Sequence, residues 1–261
     1  MKLPIYQADA FTNQLFKGNP AAVVPLEEWL SDEAMQHIAA ENNLSETAFF
    51  VKEGESYRLR WFTPVTEVDL CGHATLATAH ILFEELGYDQ EEIVFKTKSG
   101  LLTVQREGNL LMMDFPADDM PQVKPPSVLF KALGIEPVPE VYRTDDYMVV
   151  LESEVAVAGL SPDFRMLNEV EARGIIVTAP GDAVDFVSRF FAPQSGIDED
   201  PVTGSAHTKT TPYWSKKLSK EVLTARQISP RSGELTCRMK GDRVEILGQA
   251  VTYLKGEITI A

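Results

Sequence analysis

Cysteine is nearly absent: the 261 residues hold two, Cys71 and Cys237. Two cysteines so far apart make no disulfide framework and fit a reducing compartment, so a cytoplasmic location is expected. Positive charge is also short, with 24 Lys and Arg against 39 Asp and Glu and a net charge of −15. A nucleic-acid binder needs a basic surface to neutralise phosphates, and this balance argues against one. No apolar run approaches the ~20 residues that span a bilayer. Residues 1–7 lack the apolar stretch of a signal peptide, so no membrane partner is expected. Neither Gly-x-Gly-x-x-Gly nor a Walker A loop occurs. Strands do not alternate strictly with long helices, which disfavours a doubly wound nucleotide-binding fold.

What is present comes twice. Arg60-Trp61-Phe62-Thr63-Pro64 precedes Asp69, and Arg189-Phe190-Phe191-Ala192-Pro193 precedes Asp198, an offset of 129 residues. A second echo links Lys98-Ser99-Gly100-Leu101-Leu102-Thr103 to Arg231-Ser232-Gly233-Glu234-Leu235-Thr236 at an offset of 133. Two echoes in one order point to two lobes of like fold. Each copy leads into a Gly-led helix, at Gly72-His73-Ala74 and at Gly204-Ser205-Ala206. The first runs from 72 to about 86, small and apolar almost all round, and is expected to be buried. Strands are expected at 5–11, 21–24, 47–51, 57–62, 92–97, 101–106 and 109–115, with a helix from a Ser31 N-cap to about 41. Residues 116–126 carry four prolines and read as a linker. Beyond it come a helix at 127–133 and strands at 139–143, 147–152, 174–178 and 184–191. The last strands are expected at 234–239, 243–247, 250–254 and 256–260. The lobes are drawn as 1–117, with a C-terminal strand near 250–261 added to it, and 118–261.

Several residues have chemistry available. Glu46 sits at the mouth of the apolar run Thr47-Ala48-Phe49-Phe50. Burial there would disfavour its charged form and let it shuttle a proton near neutral pH; the plain alternative is a solvent-facing strand end. Cys71 precedes a helix N-terminus, a place that favours anions and a thiolate, but a lone cysteine is more commonly a small buried hydrophobe. His73 with His80 shares a helix face but no further ligand, so no metal is expected. Asp200 precedes Thr203-Gly204-Ser205, a turn able to present N–H groups to a carboxylate, or Asp200 simply caps that turn. Asp198 reads as structural because it recurs at the place of Asp69. Lys209 calls for a polar partner or solvent, and Pro212 for a kink or end in the second helix.

Taken together, Gly18-Asn19-Pro20-Ala21-Ala22-Val23, Asn43-Leu44-Ser45-Glu46-Thr47-Ala48-Phe49, Leu70-Cys71-Gly72-His73-Ala74-Thr75 and Asp198-Glu199-Asp200-Pro201-Val202-Thr203-Gly204-Ser205-Ala206-His207 resemble the motifs of the PhzF family. These are phenazine-biosynthesis-like isomerases that share the fold of diaminopimelate epimerase. Ala225-Arg226-Gln227-Ile228-Ser229 extends the likeness, which covers nearly the whole chain. The resemblance implies an α+β fold of two pseudo-symmetric lobes, each a rolled sheet or barrel around a central helix, with the active site between them. It implies a cofactor-independent isomerase, working as a homodimer, that shifts a proton on a small carboxylic acid. By the same resemblance Glu46 is the acid/base, and His73 and Asp200 orient the substrate and assist the proton. Asn19, Ser45, Gly72, Thr203, Gly204 and Ser205 fall at substrate-binding places.

Diaminopimelate epimerase uses one cysteine from each lobe. Cys71 stands at the first place, Pro201 at the second, and Cys237 is too far along the chain to substitute. A two-thiol racemase is therefore disfavoured against a one-base shift. A binding protein without catalysis is the other competing reading, against which Glu46 is present.

Overall fold

The computed structural model describes residues 1–260, so the tip of the strand expected to reach 261 lies outside the described residues. Its elements begin with β1 (Lys2–Ala10), β2 (Asn19–Leu26), α1 (Asp32–Asn42), β3 (Glu46–Glu53), β4 (Ser56–Phe62) and β5 (Glu67–Val68). Then come α2 (Gly72–Glu84), β6 (Glu92–Thr97), β7 (Gly100–Glu107), β8 (Leu110–Pro116), α3 (Ser127–Leu133), β9 (Val141–Arg143) and β10 (Tyr147–Val150). The short helices α4 (Glu154–Ala158) and α5 (Phe164–Leu167) lead to β11 (Ile175–Pro180), β12 (Phe186–Ala192) and β13 (Ile197–Asp200). The chain continues with α6 (Gly204–Leu218), β14 (Val222–Gln227), β15 (Gly233–Lys240), β16 (Arg243–Gly248) and β17 (Ala250–Thr259). Two compact units result: unit 1 takes in Met1–Asp114 and resumes at Glu245, and unit 2 is Phe115–Val244.

Within unit 1, β2 runs parallel to β3, β3 antiparallel to β4, β4 antiparallel to β5 and parallel to β6, and β6 antiparallel to β7. The same order and sense recur in unit 2, from β10 and β11 through β12, β13 and β14 to β15. The long helix enters at the same point in each, α2 after β5 and α6 after β13. The doubled sequence motif is thus a doubled topology, strand-rich with one long buried helix in each unit. β17 closes unit 1 by pairing with the full length of β1, from Lys2↔Thr259 to Ala10↔Ala250.

Each repeated arginine has one job in both copies. Phe62 faces Glu67 across its hairpin, and Phe191 faces Glu199. Arg60 donates Nε and Nη2 to Glu67 at 2.7 and 2.9 Å; Arg189 donates the same pair to Glu199 at 2.7 and 2.8 Å. The guanidinium groups lie over the same phenylalanines, 5.1 and 4.9 Å from the ring centroids. Such two-point, charge-assisted pairing fixes the arginine's plane. The loop is longer in the second copy, so the linear match of Asp69 with Asp198 is not kept. By register it is Val68 and Asp200 that correspond, opposite Trp61 and Phe190.

α2 is buried on nearly every face, from His73 to Ala79 and from Ile81 to Phe83. Its alanines let it approach β1, β2, β3 and β17 closely. α6 is buried too, but with His207, Lys209, Thr210 and Thr211 among its inward residues. Pro212 does not end it, one of the two outcomes expected there; the helix runs on to Leu218. A proline has no N–H for the carbonyl four residues back. That carbonyl, Thr208 O, instead accepts from the Asp118 N–H at 3.1 Å. Residues 116–126, read as a linker, are laced into unit 2 by this bond and by Ala117 N–H to Asp242 O, Val123 N–H to Val141 O and Arg143 N–H to Pro121 O. The strands expected at 250–254 and 256–260 form one strand, since Gly256 pairs with Ile5 without interruption. β5, α4, α5, β13 and β14 had no counterpart among the expected elements. The first four are too short to carry a period, and β14 mixes polar residues into an alternating pattern.

Candidate functional site

Unit 1 brings Glu46, His73 and Cys71 together. α1 ends on Asn43, whose left-handed backbone (φ 49°) turns the chain into β3, so Glu46 is that strand's first residue. Glu46 pairs with Ala21 of β2, two residues after the buried Asn19. β2 can start there because Gly18 holds φ +64° with its Cα packed on Ala10 O; a Cβ would lie 2.2 Å from that oxygen. From the other side α2 supplies His73 in its first turn. His73 Nε2 lies 3.2 Å from Glu46 Oε2, with the carboxylate side chain 14% exposed. The other ring nitrogen, Nδ1, lies 3.5 Å from Cys71 Sγ. Burial pushes the His73 pKa down to about 3, so the imidazole is neutral at physiological pH. Its contact with Glu46 is therefore not an ion pair. A neutral ring offers one donor and one acceptor, and here the two nitrogens face a carboxylate and a thiol.

The ligand atoms of Glu46, Cys71 and His73 lie within 4.8 Å of one another, close enough to share a metal ion. The lone pairs of an imidazole diverge, however, and this ring spans its two neighbours instead of joining them at one centre. The arrangement suits proton traffic better than chelation. His80, the other histidine of α2, is engaged elsewhere: its Nε2 lies 3.0 Å from Thr252 Oγ1.

Cys71 and Thr203 are the N-caps of α2 and α6, and neither side chain caps the first turn. The first-turn N–H groups, with the positive end of each helix dipole, make both helix heads suited to an anion. Gly72 and Gly204 open the helices without a side chain, and Ser45 stands beside Glu46 in sequence.

In unit 2 the second set is gathered at the head of α6. Thr203 Oγ1 donates to Asp200 Oδ2 at 2.5 Å. Gln227, fully buried on β14, ties this turn from beneath. Its Oε1 accepts the Thr203 N–H at 2.8 Å, and its Nε2 donates to Asp200 O at 2.7 Å and to Thr203 Oγ1 at 3.1 Å. Ser229 Oγ donates to Pro201 O at 2.8 Å. His207 Nδ1 lies 2.8 Å from Thr203 O, and burial pushes its pKa down to about 4 although that bond raises it. Ser205 Oγ accepts from Arg173 Nη1 at 3.0 Å. Asp200, Thr203, Gly204 and Ser205, expected from sequence, are thus contiguous; Arg173 and Gln227 were missed. Gln227 carried a signal, a polar residue at an inward position of an alternating strand. Arg173 carried none, since its partner lies 32 residues away.

Cys237 is fully buried and its thiol pKa is pushed up to about 12 by that burial, with a hydrogen bond from Thr211 opposing. It is no candidate for a thiolate base.

Known proteins match along the whole chain. The family model described as phenazine biosynthesis-like protein matches residues 8–256. An uncharacterized isomerase of Pseudomonas aeruginosa is 53% identical over 261 residues, all of both chains. Another uncharacterized isomerase, from Halalkalibacterium halodurans, is 49% identical over 264 residues, again over all of both chains. Among solved structures, a PhzF family protein from Enterococcus faecalis superposes with a TM-score of 0.97 at 49% identity over 100% of both chains. A hydroxyproline epimerase from Agrobacterium vitis shares the fold alone, with a TM-score of 0.62 at 8% identity over 98% of this chain and 92% of its own. The chain belongs to the phenazine biosynthesis-like (PhzF) family of isomerases.

Proposed function

We propose that this isomerase moves a proton between carbons of a small carboxylic acid without a cofactor, with Glu46 as its single acid/base. The observation that carries the reading is the 3.2 Å approach of His73 Nε2 to Glu46 Oε2 in a site where both side chains are largely buried. As carboxylate, Glu46 takes a proton from a carbon next to the substrate's unsaturated system, and the electron pair delocalises into that system. As carboxylic acid, it returns the proton at another carbon on the same face. One C–H bond breaks, one forms, and nothing is oxidised or reduced. Neutral His73 steadies the carboxyl group in both states, because one ring nitrogen can donate to it and a tautomer shift lets the same nitrogen accept. The head of α6, through Thr203, Gly204 and Ser205, holds the substrate carboxylate, which Asp200 orients, and Gly72 is assigned to substrate binding. Asn19 and Ser45 complete the wall beside Glu46.

The approach of Cys71 Sγ to His73 Nδ1 gives a second reading some basis, a thiol base activated by the imidazole. A racemase of that kind needs an opposing thiol. The corresponding cap of α6 is Thr203, and the remaining cysteine is buried at β15. The test is deuterium uptake from D₂O into a panel of cyclic unsaturated and amino carboxylic acids, with wild type, Glu46→Gln and Cys71→Ala. Glu46→Gln is expected to lose about 10²–10⁴ in exchange rate, the usual worth of a positioned acid/base. Retained exchange in Glu46→Gln with loss in Cys71→Ala would replace the one-base mechanism by the thiol one.

A further inference from the structure

Beneath the head of α6 lies a knot of charge, centred on the buried Lys209 and Asp146 and reaching the surface at Arg173, Asp145 and Asp118, that the mechanism above does not use. Lys209 stands one helical turn beyond Ser205, on the same face. Its side chain is only 5% exposed, and its Nζ meets Asp145 Oδ1 at 2.5 Å, Asp146 Oδ2 at 2.9 Å and Asp118 Oδ2 at 3.5 Å. The lysine that looked out of place in the sequence thus has three carboxylates. Arg173 completes the knot. Its Nε lies 2.9 Å from Asp146 Oδ1 and 3.0 Å from Asp145 Oδ2, and its Nη2 bonds Asp146 Oδ2. Nη1 is turned the other way, to Ser205 Oγ. Asp146 is fully buried, so its position is fixed, and it fixes the guanidinium plane in turn.

The backbone confirms how tightly Arg173 is held. Its N–H donates to Asp145 O at 2.8 Å, and its carbonyl accepts from Ser195 Oγ at 3.3 Å. The next residue, Gly174, has no room for a side chain: a Cβ would lie 2.1 Å from Phe190 Cζ. The same Phe190 ring lies 5.6 Å from the guanidinium carbon.

This placement has a chemical consequence. A serine hydroxyl has one hydrogen to give and two lone pairs to receive; arginine only donates. With Arg173 occupying a lone pair, the Ser205 hydrogen must point elsewhere, and the adjacent cation strengthens it as a donor. Arg173 also feels the charge of Asp200. An anion entering beside Asp200 meets like charge, and Arg173 is the cation placed to offset it. We propose that Arg173 is a specificity-determining positioning residue: anchored by Asp145 and Asp146, it holds Ser205 Oγ as a directed donor, so that the head of α6 selects a carboxylate over its neutral amide. The inference rests on the reading that Ser205 helps to hold the substrate carboxylate.

The experiment measures binding by calorimetry on the full chain, with 1-cyclohexenecarboxylate and 1-cyclohexenecarboxamide as the two probes. Wild type is expected to prefer the acid. Arg173→Gln should weaken the acid by about 10- to 100-fold, the range for a hydrogen bond to a charged group, and leave the amide nearly unchanged. Asp146 keeps Lys209 in that variant, which guards the fold. Arg173→Lys, which keeps the cation without the fork, should recover part of the preference and serves if Arg173→Gln does not fold. Adding Ser205→Ala to Arg173→Gln should cost little more, because both changes remove one interaction. If wild type prefers the acid and Arg173→Gln keeps that preference, or if the two losses add in full, the role of Arg173 is wrong while the carboxylate reading stands. If wild type shows no preference for the acid, the carboxylate reading falls and takes this proposal with it.

Discussion

Two buried imidazoles give the protein an acid sensitivity whose size follows from the structure. His73 and His207 have pKa values pushed down to about 3 and about 4 by burial. In the unfolded chain each returns to about 6.5. A buried neutral imidazole therefore binds fewer protons folded than unfolded at every pH between those values. Stability is complete above pH ~6.5 and declines as pH falls toward the folded values. At pH 5 both rings are still neutral when folded and almost fully charged when unfolded, so each costs about 2 kcal/mol at ~1.4 kcal/mol per pH unit. The pair removes about 4 kcal/mol between pH 7.5 and pH 5, a large part of an ordinary 5–15 kcal/mol. His80, also lowered by burial, acts in the same direction. The lowered carboxylates Glu67 and Asp145 enter only at more acid pH, near and below their ordinary range. The assay is urea unfolding at pH 7.5 and pH 5 for wild type and His207→Gln. Glutamine can still donate to Thr203 O but takes up no proton. The variant should lose about 2 kcal/mol less than wild type over that interval. Equal losses in the two proteins, or a wild-type loss under ~1 kcal/mol, would refute the reasoning that these rings are held neutral by burial.

Further outcomes follow from the same geometry. Cys71→Ala removes a weak thiol contact to His73 Nδ1 and should leave solvent-deuterium exchange within about tenfold of wild type, since a bond of that kind is worth on the order of 1 kcal/mol; a loss as large as that of Glu46→Gln would make the thiol part of the chemistry. Gly174→Ala drives a methyl group into the Phe190 ring and should destabilise by about 1–3 kcal/mol in urea unfolding, as overpacking does; an unchanged midpoint would show that the ring gives way freely.

Much of unit 1 was legible because its signals are local. The small apolar run from Gly72 announced a buried helix, and the Glu46 strand lies where its residues require, whereas β2 starts at Asn19, two residues before the strand expected at 21–24. The doubled arginine motif announced a doubled topology, although the reason for it, a bidentate grip on Glu67 and on Glu199, depended on hairpin register that a linear match misread at Asp198. The candidate site was legible where its residues are neighbours in sequence, as in Asp200, Thr203 and Ser205. It was not legible where partners come from afar. Lys209 stood out as a charge in a buried helix, yet nothing local tied it to Asp146, 63 residues away. Pro212 was read by its intrinsic habit, and the partner that takes up the carbonyl it leaves free, the Asp118 N–H, comes from a segment 90 residues away.

The interrupted course of unit 1 bears on how the chain acquires its structure during synthesis. β1 leaves the ribosome long before its antiparallel partner β17 is made. Unit 2 is one continuous stretch, complete when Val244 emerges, whereas unit 1 cannot be complete until the chain has passed residue 250. At roughly 5–20 residues per second, the wait is on the order of ten seconds or more. Throughout it β1 has β2 on one side and an open row of backbone donors and acceptors on the other, the kind of edge that recruits a foreign strand. The unit that bears Glu46 is begun before unit 2 and finished after it, and its yield in the cell depends on keeping that edge unoccupied until β17 arrives.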